Sequence, residues 1–130
     1  MRPDEIAGVE HIAIASSAPR QLAEWYVNCL NFTLIHDTGD TLYLRAPNRV
    51  VLEFVQADTQ PPPPTIRSAG LRHIALAVGD LDAARAALEA RGLSFPDEPI
   101  VRPGLRLQFF RDPEGNFLHL VERANPLEPA

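Results

Sequence analysis

Two short runs of strict apolar alternation, each followed by an apolar stripe at helical spacing, organise the chain. From Val9 to Ala15, alternation sets His11, Ala13 and Ala15 on one side and Ile12 and Ile14 on the other. The pattern returns 62 residues later, where His73, Ala75 and Ala77 oppose Ile74, Leu76 and Val78. Both runs are predicted strands whose aliphatic side needs a helix to cover it. The first helix carries Leu22, Trp25, Tyr26, Cys29 and Leu30, with Ser17 as expected N-cap, Pro19 at an early position and Asn31 as a left-handed stop. In the second, Asp80 is the expected N-cap, Leu81, Ala84 and Leu88 form the stripe, and Gly92 is the expected left-handed terminator.

Three strand-like runs follow each helix, at 32–36, 41–45 and 49–56 and then at 93–95, 105–111 and 117–122. The last hairpins superpose at an offset of 66, which sets Leu52-Glu53-Phe54 against Leu118-His119-Leu120. Asp112-Pro113-Glu114-Gly115-Asn116 reads as a hairpin turn, with Pro fixing φ and Gly accepting a positive φ. The expected organisation is one α+β domain: module one at 6–56, a linker at 57–70 and module two at 71–123. Pro61 to Pro64 make that linker a stiff, extended spacer, or alternatively a proline-motif ligand.

Composition adds exclusions. Of 130 residues, 45% are hydrophobic and 22% charged, enough for a core that requires neither disulfide nor structural metal. Twelve Lys and Arg against 17 Asp and Glu give a net charge of −5 with no basic run, which argues against nucleic acid as a partner. The single Cys29 lies on the helical stripe and reads as a small buried hydrophobe rather than a nucleophile. With no apolar stretch long enough for a signal peptide or membrane span, no membrane partner is expected and the expected location is the cytoplasm. A P-loop, a nucleophile-elbow serine, the H-E-x-x-H pattern and paired cysteines are all missing.

The candidate chemistry sits on the repeat. Each half offers a His in its first strand and a ligand-type residue in its last: His11 with Glu53, and His73 with His119. If two copies of one unit pair about a pseudo-twofold axis, these four positions converge. Imidazoles and a carboxylate on otherwise apolar strands need a shared partner, and a divalent cation supplies one. The N/O set suits Zn, Ni, Fe(II), Co or Mn, with open positions for two adjacent oxygens of a small-molecule substrate. Glu122 has the wrong parity and offset for this set and is expected at a rim. His36 has no repeat partner and reads as a surface or packing residue. Arg106 and Gln108 are candidate substrate contacts, with a solvent-facing position as the alternative.

These residues resemble the vicinal oxygen chelate superfamily, which includes glyoxalase I, extradiol dioxygenases and bleomycin resistance proteins. The resemblance rests on His11 in V-E-H-I-A-I, Trp25-Tyr26 with Leu30-Asn31-Phe32, Glu53 in V-V-L-E-F, His73 in L-R-H-I-A-L-A-V, and the turn at 112–116. It implies two βαβββ modules forming a curved mixed sheet around a metal and a central cavity, helices outside, often in a homodimer. His11, Glu53 and His73 match the first three ligand positions. The fourth, usually Glu, is His119 here, which leaves Glu53 as the candidate base in glyoxalase-like lyase or isomerase chemistry. An extradiol-type dioxygenase site using Glu53 as its carboxylate is the other enzymatic expectation, and non-catalytic sequestration of an aromatic or antibiotic-like small molecule, as in bleomycin-resistance-type members, is the third.

Overall fold

The computed structural model describes residues 3–59 and 64–127. The chain divides into two compact units, one within residues 1–60 and one within 61–130. Unit one runs β1 (Ile12–Ser16), α1 (Pro19–Leu30), β2 (Thr33–Asp37), β3 (Leu42–Arg45) and β4 (Val51–Gln56). Unit two repeats the order as β5 (His73–Ala77), α2 (Leu81–Ala90), β6 (Ile100–Arg102), β7 (Leu105–Arg111) and β8 (Phe117–Arg123). The α+β class and tandem βαβββ order therefore hold, as two four-stranded mixed sheets. Their strand orders are equivalent, β1-β4-β3-β2 and β5-β8-β7-β6. In each, the first strand pairs parallel to the last, and the remaining pairs are antiparallel.

Alternation explains what is buried. In unit one, Leu42, Leu44, Leu52 and Phe54 point to one side of the sheet and are at most 3% exposed, packing with Leu22 and Tyr26 of α1. Tyr26 anchors this core, its ring 5.4 Å from Phe32 and 5.1 Å from Phe54 between centroids. Asn31 adopts φ 61, the expected left-handed stop, and the N–H groups of Asn31 and Phe32 both donate to the Tyr26 carbonyl. In unit two, Leu118, Leu120 and Phe110 do the same beneath Leu81 and Leu88 of α2. Asp80 caps α2 by accepting from the Ala83 N–H. Gly92, at φ 97, and Leu93 donate back to Glu89 and Leu88, the paired hydrogen bonds of a Schellman stop.

Three expectations need correction. The N-cap of α1 is Ala18, with no side-chain cap; the hydroxyl that serves this corner is that of buried Ser16, which accepts from the Ala18 N–H, while Pro19 opens the helix. No strand forms at 93–95, because Phe95 turns inward to meet the Phe110 ring at 5.4 Å and the Arg85 guanidinium at 5.4 Å. The missing strand is Ile100–Arg102, concealed in the sequence by Pro99 and Pro103. It is an edge strand, where proline at a boundary leaves no ladder bond unmade, and Pro103-Gly104 (φ 70) make its turn into β7. Of the proline run, Pro61 to Pro63 lie outside the described residues.

Leu118 is fully buried and Ile100 is 36% exposed on an edge. Chemical denaturation of Leu118→Ala is expected to show a loss of about 2–5 kcal/mol. Ile100→Ala is expected to cost about 1 kcal/mol or less.

Candidate functional site

Each unit brings its own pair of predicted site residues together. In unit one, Ala13 stands beside Glu53 in the parallel β1–β4 register, and His11, just before β1, falls on the same side. His11 Nε2 lies 3.8 Å from Glu53 Oε1, with the side chains 32% and 17% exposed. In unit two, Ala75 stands beside His119 in the equivalent β5–β8 register, and His73 opens β5 two residues earlier. The His73 and His119 rings are 4.5 Å apart between centroids, edge to face. The small alanines of the repeat thus stand beside the polar residue of the last strand in both units.

The two environments differ. The Glu53 carboxylate acting on the Tyr43 hydroxyl, followed by burial, raises the Tyr43 pKa above its ordinary value. Tyr43 faces Glu53 across the β3–β4 ladder. Its ring also meets His11 edge-on at 5.6 Å and His36 at 5.8 Å. His36, on exposed β2, is thus a packing neighbour of the cluster. His119 is 94% buried, the complement of its 6% exposure, and Phe109 stacks on its ring at 4.9 Å. Among the described residues, its Nδ1 has no hydrogen-bond partner. Burial, then the adjacent His73, pushes its pKa from 6.5 to about 4, so a nitrogen lone pair is available at neutral pH.

Parity separates the remaining candidates from this surface. Phe109 and Arg111 pair with His119 and Phe117 and share the His73 side, whereas Arg106, Gln108 and Phe110 share the α2 side with Glu122, Leu120 and Leu118. Neither candidate substrate contact therefore reaches the histidines. Arg106 grips Asp82 of α2 through both terminal nitrogens, at 2.9 and 3.3 Å, with Glu122 at 3.6 Å. Gln108 is wholly buried, its Oε1 accepting from Arg85 and its Nε2 donating to the carbonyls of Asp97 and Phe109. Glu122, expected at a rim, accepts from the Leu81 N–H at the start of α2. Cys29 is buried in α1, as read from its stripe.

Tyr43 is the site residue that sequence reasoning missed. Its signal was present in Leu42-Tyr43-Leu44, where two buried leucines force the tyrosine onto the opposite side, but the cross-strand register that meets Glu53 is not visible in one strand. Among the described residues, no three His, Cys, Asp or Glu gather as a group that could hold a metal ion; the donors present come as pairs. No helix among them is long and apolar enough to cross a membrane.

The model of the Glyoxalase/Bleomycin resistance protein/Dioxygenase superfamily matches residues 8–120. The chain belongs to this superfamily. YwkD of Bacillus subtilis (strain 168), an uncharacterized protein, is 33% identical over 128 residues, covering 91% of this chain and 98% of its own. Among solved structures, the glyoxalase family protein from Enterococcus faecalis is 27% identical with a TM-score of 0.76, covering 89% of this chain and 98% of its own. TnmS3, an antibiotic binding protein from Streptomyces sp. CB03234, is 27% identical with a TM-score of 0.74, over 92% and 98%.

The His119 environment predicts a pH signature for metal-free protein. The unfolded chain takes up this proton near 6.5 and the folded chain only near 4. Stability is therefore expected to fall as pH drops from about 6.5 to about 4 and to level off below, because the unfolded state binds more protons in that window. Proton NMR of the imidazole follows the titration, and His119→Phe is expected to flatten that part of the stability profile.

Proposed function

We propose that this protein is a divalent-metal-dependent enzyme of the superfamily, acting on two neighbouring oxygens of a small substrate, with His11, Glu53, His73 and His119 as its metal ligands. The observation that carries this reading is the equivalence of the pairs: the same strand register, in both modules, sets two ligand-type side chains against each other. The donor set fits such an ion. His119 presents a buried ring nitrogen with nothing to bond, and Glu53 keeps part of its carboxylate exposed beside His11. A bound Zn, Ni, Fe(II), Co or Mn ion would polarise the substrate oxygens and make an adjacent carbon-bound proton more acidic.

The chain's own residues then perform proton transfer. Glu53 is the base, and Tyr43, facing it across the β3–β4 ladder, is the neighbour that can steady its carboxylate. This favours lyase or isomerase chemistry of the glyoxalase type over ring-cleaving oxygenation. The working form in this reading is a cytoplasmic homodimer. A second reading, sequestration of a ligand without catalysis, is supported by similarity to an antibiotic binding protein and by an aromatic-lined cavity in unit two.

Elemental analysis and calorimetric metal titration distinguish the two. Stoichiometric metal is expected in protein purified without chelator, and Glu53→Ala and His73→Ala are expected to lose it. Tyr43→Phe, which keeps the ring between His11 and His36, is expected to weaken metal affinity by about 10- to 100-fold, the range for residues that orientate ligands. Isomerisation of hemithioacetals with Ni or Zn would identify the lyase, and oxygen uptake with catechols under Fe(II) the dioxygenase. Metal-free protein whose ligand binding survives Glu53→Ala and His73→Ala overturns the enzymatic reading in favour of sequestration.

A further inference from the structure

Unit two contains a cavity of about 610 Å³, within the size range of small-molecule sites. Its lining includes Phe109, Phe117 and Ile100 as apolar surface, and Arg111, Asp97 and Glu98 as charges. The Arg111 guanidinium carbon lies 4.2 Å from the centre of the Phe117 ring. An arginine packed against an aromatic ring can still take a carboxylate with two parallel hydrogen bonds. Among the described residues, Arg111 makes no ion pair, and neither do the Asp97 and Glu98 carboxylates. Residues of both charge signs therefore line one largely apolar space without pairing with each other.

The walls are held in place. Gln108, buried under α2, donates to the carbonyl of Asp97 and to that of Phe109, which ties the acidic rim to β7. Phe109 is backed by the His119 ring. A simple anion entering this space would meet Arg111 favourably and the two carboxylates unfavourably, and a simple cation the reverse. A molecule bearing both charges on an apolar body can satisfy both signs.

We propose that this cavity binds an amphoteric aromatic compound of the amino-acid type, its carboxylate on Arg111, its ammonium on Asp97 and Glu98, and its ring against Phe109 and Ile100. The assignment goes beyond the metal reading and does not depend on it. Gln108, whose own side chain cannot reach the ligand, is a positioning residue here.

The test is calorimetric binding to full-length protein in excess chelator, so that failure of the metal reading leaves it untouched. Three probes share one ring system: tryptophan carries both charges, tryptamine the ammonium, indole-3-propionate the carboxylate. Tryptophan is expected to bind about tenfold more tightly than either, the factor of one charge-assisted contact. Arg111→Gln is expected to reduce tryptophan to the level of tryptamine, and the double variant Asp97→Asn, Glu98→Gln to the level of indole-3-propionate. Arg111→Lys, which keeps the cation, is expected to retain part of the preference, separating recognition from lost cover of Phe117. Equal binding of a singly charged probe, variants that leave tryptophan unaffected, or no saturable binding by any of the three overturns the assignment.

Discussion

Parallel pairing of the first and last strand within each module is the constraint on which the site depends. Side chains alternate along a strand, so a one-residue slip would turn every residue of the last strand to the other side. With Ala13 opposite Glu53 and Ala75 opposite His119, the polar residue of each last strand falls beside the smallest side chain of the first. Burial of Phe54 and Leu52, or of Leu118 and Leu120, against the helix holds that register, because any slip would expose them. The polar pairs are thus positioned by apolar packing on the opposite side of the same strands.

The same duplication has diverged in its electrostatics. Glu53 faces the hydroxyl-bearing Tyr43, while His119 is stacked on Phe109, a ring that offers no hydrogen bond. Phe109 faces His119 in the register position equivalent to that of Tyr43 facing Glu53. One module therefore presents a carboxylate beside a tyrosine hydroxyl, and the other a neutral imidazole in an apolar wall. Charge and neutrality suit different tasks: a carboxylate accepts protons, and a desolvated imidazole offers a lone pair without competing for them at neutral pH.

Much of this was legible in the chain because its signals are periodic. Alternation located β1 and β5, the i, i+3, i+4 stripe located α1, Asp80 and Gly92 bounded α2, and the repeat offset singled out Glu53 and His119. What escaped depends on contacts between strands or on edge positions. Ile100–Arg102 is too short and too close to two prolines to stand out, yet pairing with β7 makes it a strand. Arg106 and Gln108 alternate correctly, but nothing in one strand says which side meets the helix. Only Asp82 and Arg85 of α2 decide that, by taking their polar groups.

Gln108 connects these levels. A glutamine among Leu118, Leu120 and Phe110 is an unusual core residue, and burying its amide unbonded would cost several kcal/mol, of order 2–7. Its amide donates to two carbonyls and accepts from Arg85, so burial becomes tolerable only while the Asp97 segment stays docked against β7. Replacing it with leucine would suit the core and release that segment. A polar residue in this position therefore makes sense if what matters is the shape of the cavity wall it holds rather than the stability of the core it occupies.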